Sequence, residues 1–262
     1  PASMLIYPLY TSTVNVARQD SRFTLTNASP DLTSYVHLFF VDGSDCSVAD
    51  QFVTLTPSQT VSFLASDLDP TVTGYLVALA VDDFGFPQHF NHLIGSVYVK
   101  FESGHAANLP AVGVAALAGG ARPVMMSESD TTMDLYLDGI SYSEIPRTLA
   151  VNNIPSRADG NQTMLVVNRI GGDLTSGGST LSALYGLVYD DRENAKSYTV
   201  AGGTCQLRLM VNGTTVRTSP RFESLVPSGR TGWMRISSVN DEGILGAMIN
   251  YNPGGFNQGH VL

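Results

Sequence analysis

Short runs of apolar and β-branched residues alternate with turn-forming residues along almost the whole chain. Runs rich in Val, Leu, Tyr, Phe and Thr, bounded by Asn, Asp, Gly or Pro, predict strands joined by tight turns. The predicted strands cover residues 4–10, 22–26, 35–41, 51–55, 59–64, 74–81, 93–101, 134–137, 163–168, 183–189, 197–200, 206–211, 231–237 and 244–251. Many short strands at this spacing are typical of a sandwich or barrel. We therefore predict an all-β protein.

The strand pattern stops between residues 110 and 133 and then resumes. Residues 111–120 are rich in small side chains and residues 128–132 are polar, with no alternation in either stretch. A short helical turn is predicted at 114–117, because Ala and Leu favour helix, although it is too brief to be stable alone. A chain of 262 residues also fits two domains. We predict a first β-sandwich domain at 1–118 and a second at 119–262.

The two predicted domains share five landmarks in the same order, which indicates an internal repeat. The matched segments are 24–27 with 165–168, 37–42 with 185–190, 62–82 with 221–241, 93–95 with 244–246, and 101–105 with 256–260. Two tandem sandwiches, immunoglobulin-like or jelly-roll-like and related by duplication, would explain this order. The alternative is the strand and turn chemistry that any two β-sandwiches share.

Five longer blocks carry a resemblance to a known group of proteins. The blocks are 36–50, 63–82, 100–109, 153–172 and 243–260. They resemble a family of uncharacterised secreted bacterial proteins with tandem β-sandwich-like domains, and the resemblance covers nearly the whole chain. The resemblance implies a secreted protein and brings no established activity. Members of the family often carry additional cysteines, and this chain has only two.

Charge and hydropathy narrow the classes of partner. The formal net charge is −9, with charged residues at only 14%, and a negative field repels phosphate backbones, so we expect no nucleic-acid partner. No run approaches the length of a membrane span. The chain opens on Pro1 without a signal-peptide pattern, as expected of a mature secreted protein or a trimmed chain. A sparsely charged surface favours contact with other surfaces.

The two cysteines, Cys46 and Cys205, form no metal or redox motif. They could form one disulfide, pair between chains, or stay free, and the sequence does not choose among these. A catalytic role for Cys46 is disfavoured, because no nucleophile motif surrounds it.

Few residues are candidates for a metal site or for a catalytic pair of carboxylates. Calcium suits oxygen ligands in secreted β-domains, and its candidate ligands are Asp42, Asp45, Asp67 and Asp69. A glycosidase would need two opposed carboxylates, whereas adjacent pairs such as Asp82/Asp83, Asp134/Asp138 and Asp190/Asp191 are usually turn residues. Otherwise no cofactor is expected.

The aromatic and histidine side chains also give few candidates for a binding or catalytic site. Trp233 aligns with Tyr75 in the repeat, which predicts a core position. His105 and His260 follow equivalent glycines, which predicts rings hydrogen-bonded to loop carbonyls.

Three functions remain. The leading prediction is a non-enzymatic, extracellular structural protein that assembles into a filament or surface layer, with its first strand added to the sheet edge of a neighbour. The residues predicted to make that contact are Met4, Leu5, Ile6 and Tyr7. The first alternative is an adhesin or carbohydrate-binding module, and the second is a polysaccharide hydrolase. The expected partners are further copies of the chain, other surface proteins, or glycans.

Overall fold

The computed structural model describes residues 1–117, 137, 139–175, 177–212, 216, 218–254 and 258–262. These residues form four antiparallel sheets with only short helical turns. The prediction of an all-β, sandwich-like protein is confirmed. The predicted domain junction between 118 and 119 lies outside the described residues. We call residues 1–117 the N-terminal half and the residues from 139 onward the C-terminal half.

The N-terminal half is a sandwich of two sheets. Its elements are β1 Met4–Thr11, β2 Asp20–Asn27, β3 Ser34–Asp42, β4 Val48–Leu55, β5 Thr60–Leu64, α1 Ala65–Leu68, β6 Thr73–Val81, β7 Leu93–Lys100, β8 Ala106–Pro110 and β9 Val112–Val114. One sheet has the strand order β4-β3-β6-β1-β9 and the other β5-β2-β7-β8. The helical turn predicted at 114–117 is wrong, because this stretch ends β9 and then bridges Ala116 to Tyr142.

The C-terminal half is a second sandwich. Its elements are β10 Thr148–Pro155, a 3-10 turn Arg157–Asp159, β11 Gln162–Arg169, β12 Leu184–Tyr189, β13 Ala195–Val200, β14 Gln206–Met210, α2 Phe222–Leu225, β15 Thr231–Ser238, β16 Ile244–Tyr251 and β17 Gln258–Val261. The sheets are β10-β15-β12-β13 and β14-β11-β16-β17. Within the described ranges, no helix has both the length and the apolar character needed to cross a membrane.

Both halves have the same topology when strands of equal rank are matched. The order β4-β3-β6-β1 becomes β13-β12-β15-β10, and β5-β2-β7-β8 becomes β14-β11-β16-β17. Even an irregularity repeats: the register of β1 against β6 shifts between Tyr7 and Tyr10, and that of β10 against β15 shifts between Val151 and Ile154. Shared strand chemistry does not place a bulge at the same point, so this agreement favours duplication.

A glycine sits opposite the bulge in each half. A Cβ atom on Gly74 would lie 1.8 Å from the carbonyl oxygen of Val41, and one on Gly232 would lie 2.8 Å from that of Tyr189. Only glycine fits such a close backbone approach. The matched Thr-Gly pairs of the sequence therefore mark one structural position.

Three correspondences inferred from the sequence are wrong in detail. The match of 101–105 with 256–260 fails because Val99 pairs with Ala107 and Asn250 pairs with Gln258, which makes His260 the equivalent of Leu109 and not of His105. Gly95 pairs with Leu25 and Gly246 pairs with Val167, so the match of 24–27 with 165–168 is displaced by one residue. Phe63 lies in β5, whereas Phe222 begins α2. When two alternating apolar sequences are aligned by residue type alone, a shift of one residue changes the quality of the match very little. Only the observed strand pairing fixes the register.

The sheet β4-β3-β6-β1-β9 is covered on both faces. One face packs inside its own sandwich. On the other face, Tyr75 and Val77 pack with Ile170, Leu174 and Leu245 of the C-terminal half. The sheet that β11 and β16 share is similarly covered, since Val166, Ala247 and Ile249 join the core of the N-terminal half. The two sandwiches are therefore joined through a buried apolar contact.

Polar groups fix the register of this contact. The Gln206 side-chain amide donates to the carbonyl oxygens of Pro8, at 3.2 Å, and Gly74, at 3.0 Å. The Asn168 amide donates to the same Pro8 oxygen at 2.8 Å. A disulfide between Cys46 and Cys205, with Cα atoms 5.5 Å apart, lies beside these bonds. Buried carbonyls left open by the bulge are thus satisfied by the opposite half.

The N-terminal strand is enclosed by this arrangement. All eight residues of β1 are buried, and the strand pairs with β6 on one side and with β9 on the other. Met4, Leu5, Ile6 and Tyr7 therefore have no free edge or free face to offer a neighbour. The prediction that they form an assembly strand is wrong, because a terminal strand with apolar residues on both faces is a central strand here.

His105 lies at the same junction. Its ring is buried, lies 5.8 Å from and nearly parallel to the Phe101 ring, and is 5.2 Å from the Tyr251 ring of the C-terminal half. Neither ring nitrogen has a hydrogen-bond partner among the described residues. The predicted bond to a loop carbonyl is therefore wrong, and burial lowers the pKa of His105. The side chain of His260 lies outside the described residues.

We expect the disulfide to stabilise the contact between the halves. Its cysteines are 159 residues apart in sequence, so the cross-link removes much freedom from the unfolded chain. The double variant C46S/C205S should lose about 2–5 kcal/mol of unfolding free energy, measured by urea denaturation. Reduction of the wild-type protein should give the same shift. An unchanged urea midpoint in both experiments would contradict this role.

We also expect His105 to make folding acid-sensitive. Because its folded pKa is lowered, only the unfolded chain gains the proton just below the ordinary value of about 6.5, so stability falls as the pH falls through that value. H105F should lose less Tm between pH 7.5 and pH 5 than the wild type does. The exposed residue His89 gives the control, H89Q, whose loss should match the wild type. Equal losses in H105F and wild type would contradict the assignment.

Candidate ligand cleft

The C-terminal counterpart of the covered face is exposed. In the N-terminal half this face is apolar and buried, whereas in the sheet β10-β15-β12-β13 it carries aromatic and polar residues open to solvent. The strand pairings give the equivalent positions. They are Val41 and Tyr189, Tyr75 and Trp233, Phe39 and Leu187, Val77 and Arg235, His37 and Tyr185, Leu79 and Ser237, Ile6 and Ala150, and Met4 and Thr148. Duplication thus produced one face used for packing and one left open.

A cleft of about 650 Å³ lies at the end of this open face. Its floor is the start of β15, from Thr231 to Trp233. One wall is the bulge of β10, with Asn152 and Asn153, and the other is the turn between β12 and β13, with Asp190, Asp191 and Glu193. The walls therefore differ, with amides on one side and carboxylates on the other.

The cleft occupies the position that Gln206 fills in the N-terminal half. Gln206 contacts three N-terminal backbone carbonyls there: those of Pro8 and Gly74 accept from its side chain, and that of Gly43 accepts from its backbone N–H at 3.1 Å. By strand pairing and turn position, the C-terminal equivalents of these three residues are Asn152, Gly232 and Asp191, and all three line the cleft. The same backbone arrangement is thus a filled socket in one half and an open one in the other.

Trp233 is a cleft residue and not a core residue. Its indole is partly exposed and stacks on the ring of Tyr189, with centroids 3.9 Å apart and planes 4° from parallel. Tyr189 does not line the cleft, so it covers one face of the indole and leaves the remaining surface for a ligand. The core prediction is wrong because the equivalent residue, Tyr75, is covered by the opposite half.

Two of the three carboxylates in this wall already have partners. Asp190 accepts hydrogen bonds from the side chain and backbone of Asn194 and from the backbone of Arg192, which together lower the pKa of its carboxyl. Asp191 forms an ion pair with Arg230. The Glu193 backbone N–H donates to the carbonyl oxygen of Asp190, but its side chain has no hydrogen bond or ion pair to any described residue. Its carboxylate is therefore available to a ligand.

Backbone strain occurs on both walls. Asn153 has a φ of 55° and Glu193 a φ of 64°, in the left-handed region that non-glycine residues rarely adopt. Strained residues persist where the surrounding structure holds them and are enriched at functional sites. Here both residues line one cleft, one on each wall.

The carboxylates of the cleft all lie on one wall. A glycosidase places two carboxyl groups on opposite sides of the scissile bond. Here the three carboxylates that line the cleft belong to one turn, and amides face them. The arrangement offers hydrogen-bond donors and acceptors around one aromatic surface.

The structure does not gather the predicted calcium ligands into one site. Asp42 and Asp45 each bond to their own turn, through Ser44 and Ser47 respectively. Asp69 accepts a hydrogen bond from Tyr10, and Asp67 is exposed on α1. Within the described residues, no three His, Cys, Asp or Glu side chains form a group that could hold a metal ion. Asp134 and Asp138 lie outside the described residues, and calcium binding stays a prediction.

The sequence contained a signal for the cleft that strand patterns alone do not reveal. The cleft residues can be identified from the sequence only when the polarity of equivalent positions in the two repeats is compared. Val77 aligned with Arg235, and Ile6 with Ala150, show that a buried face has become an exposed one.

Comparisons with known proteins leave the family open. No protein-family model matches the chain, and no curated protein matches it. A crystal structure of Thermotoga maritima 1070 is 11% identical, with a TM-score of 0.34, and the match covers 43% of this chain and 94% of that one. The apo lectin of Pleurotus ostreatus is 10% identical, with a TM-score of 0.20 and coverage of 100% and 82%. The exo-chitosanase of Amycolatopsis orientalis, in complex with PNP-β-D-glucosamine, is 12% identical, with a TM-score of 0.14 and coverage of 97% and 26%. Likenesses this weak carry no argument about fold or function.

Proposed function

We propose that the protein is a carbohydrate-binding module that holds a sugar in the cleft at Trp233. The observation that carries the proposal is the open socket. The equivalent socket of the N-terminal half is filled by the Gln206 amide, a hydrogen-bond donor, whereas this one is open and has an indole on its floor.

The cleft supplies both kinds of contact that a sugar requires. A flat aromatic ring packs against the apolar C–H face of a pyranose, and a few well-placed polar groups fix its orientation. Trp233 provides the ring. The amides of Asn152 and Asn153 can donate to and accept from hydroxyl groups, and the Glu193 carboxylate can accept from them.

The polarity of the open face supports reversible binding. A permanent interface resembles a protein core and is strongly apolar, as the equivalent N-terminal face is. The exposed face instead has short polar residues around a few aromatic ones. Such a surface tolerates water between binding events. We propose recognition without catalysis, because the carboxylates occupy one wall only.

The disulfide supports a location outside the reducing cytosol. Disulfides persist in oxidising compartments and are rare in cytosolic proteins, and Cys46 and Cys205 form one here. We propose a secreted or cell-surface module, in agreement with the resemblance described for its sequence blocks. Assembly by strand addition loses its basis, since β1 is enclosed.

We expect Trp233 to be required for glycan binding. On a glycan array, wild-type protein should bind at least one class of sugar, and W233A should lose at least tenfold in affinity, about 1.4 kcal/mol. The reason is the loss of the stacking surface. Titration calorimetry of each array hit would give the affinities.

The matched control is Y98A. Tyr98 is 48% exposed on the outer face of the other sandwich, so its loss removes a similar exposed ring far from the cleft and should leave binding unchanged. An array without hits would overturn the proposal, and light scattering that then showed concentration-dependent oligomers would favour assembly instead. Equal losses in W233A and Y98A would place the site elsewhere.

A further inference from the structure

Arg235 lies in the middle of the open face, next to the cleft. It follows Trp233 by two residues on β15, so both side chains project from the same face, about 7 Å apart at their Cα atoms. Its direct cross-strand neighbours on this face are Ala150 of β10 and Leu187 of β12. The equivalent residue in the N-terminal half is Val77, which is fully buried.

The Arg235 guanidinium is accessible and uncommitted. The residue is exposed, and no hydrogen bond or ion pair joins its side chain to any residue in the described ranges. Beyond its direct neighbours, the face continues with the exposed ring of Tyr185 and with short side chains at Thr148, Ser197 and Ser237. Several other arginines, such as Arg169 and Arg147, are paired with carboxylates. Arg22 on β2 and Arg208 on β14 are also exposed without an ion pair, so what sets Arg235 apart is its position on the open face, two residues from Trp233.

We infer that Arg235 forms a second subsite, which binds the carboxylate of a uronic acid next to the sugar held at Trp233. This inference rests on the proposed function. The planar guanidinium matches a carboxylate with two parallel hydrogen bonds. The ligand class is thus an acidic oligosaccharide that extends from the cleft along β15.

The charges of the cleft are compatible with an acidic ligand. The carboxylates of Asp190 and Asp191 are engaged by Asn194 and Arg230, whereas that of Glu193 is unpaired and can accept from a sugar hydroxyl. They lie on the turn that follows β12, whereas Arg235 pairs with Leu187 inside that strand. A sugar in the cleft would therefore present hydroxyls to the acidic wall, and its neighbour would present the carboxylate to Arg235. Because Arg235 is exposed, dissolved ions screen its attraction for a sugar carboxylate, so we expect the binding of acidic sugars to weaken with salt.

The experiment compares oligouronates with their methyl esters. Tetramers from polygalacturonate, alginate and hyaluronan, each with its fully methyl-esterified form, are titrated into wild type, R235Q, W233A and the control R208Q, at low and high salt. Arg208 is an exposed arginine on β14, in the other sheet of the C-terminal half. Thermal unfolding verifies that each variant folds.

We expect wild type and R208Q to prefer at least one free acid over its ester by tenfold or more, less so at high salt. R235Q should lose that preference while it retains binding of the ester, and W233A should weaken both forms. Binding of acid and ester with equal affinity, or a preference that survives in R235Q, would overturn the acidic subsite. The proposed function would stand in either case if W233A weakens binding at least tenfold. If none of these tetramers binds but neutral sugars on the array bind through Trp233, only the subsite is overturned. If no glycan binds at all, both the subsite and the proposed function are overturned.

Discussion

The C-terminal half packs against the outer face of the sheet β4-β3-β6-β1-β9, and the burial of β1 and the position of the disulfide follow from this packing. This contact buries β1 completely and satisfies the bulge carbonyls of Pro8 and Gly74 through Gln206. It also brings Cys46 within disulfide distance of Cys205. Apolar burial supplies most of the driving force, and the polar groups select one register. Neither half would keep its present surface without the other.

The same contact explains why the two halves differ despite one topology. A chain of two repeats has one internal junction, so one copy of the face is buried and the other remains exposed. The buried copy keeps Tyr75 and Val77, and the exposed copy has Trp233 and Arg235 at the same places. The side chains changed while the bulge and its glycine stayed. A socket that serves packing in one half thereby became available for a ligand in the other.

Strand periodicity was sufficient to predict the fold class, because alternating runs and turn residues are local properties of the chain. The order of the landmarks also predicted the repeat. The burial of β1 and the exposure of Trp233 were not predictable in this way, since each depends on whether the other half covers that face. Matching residue types between strands also did not determine the register, since the match of 24–27 with 165–168 is displaced by one residue. The cleft required both the topology and the inter-half contact to be known.

We propose that this protein binds its ligand on the exposed face of β10, β15 and β12. NMR mapping of backbone amide shifts, during titration with an oligosaccharide that binds on the array, would locate the bound sugar. We expect the large shifts to cluster at Asn152, Asp191, Trp233 and Arg235, while the outer face of β2 and β7 stays unchanged. Large shifts on that N-terminal face, with none around Trp233, would contradict it.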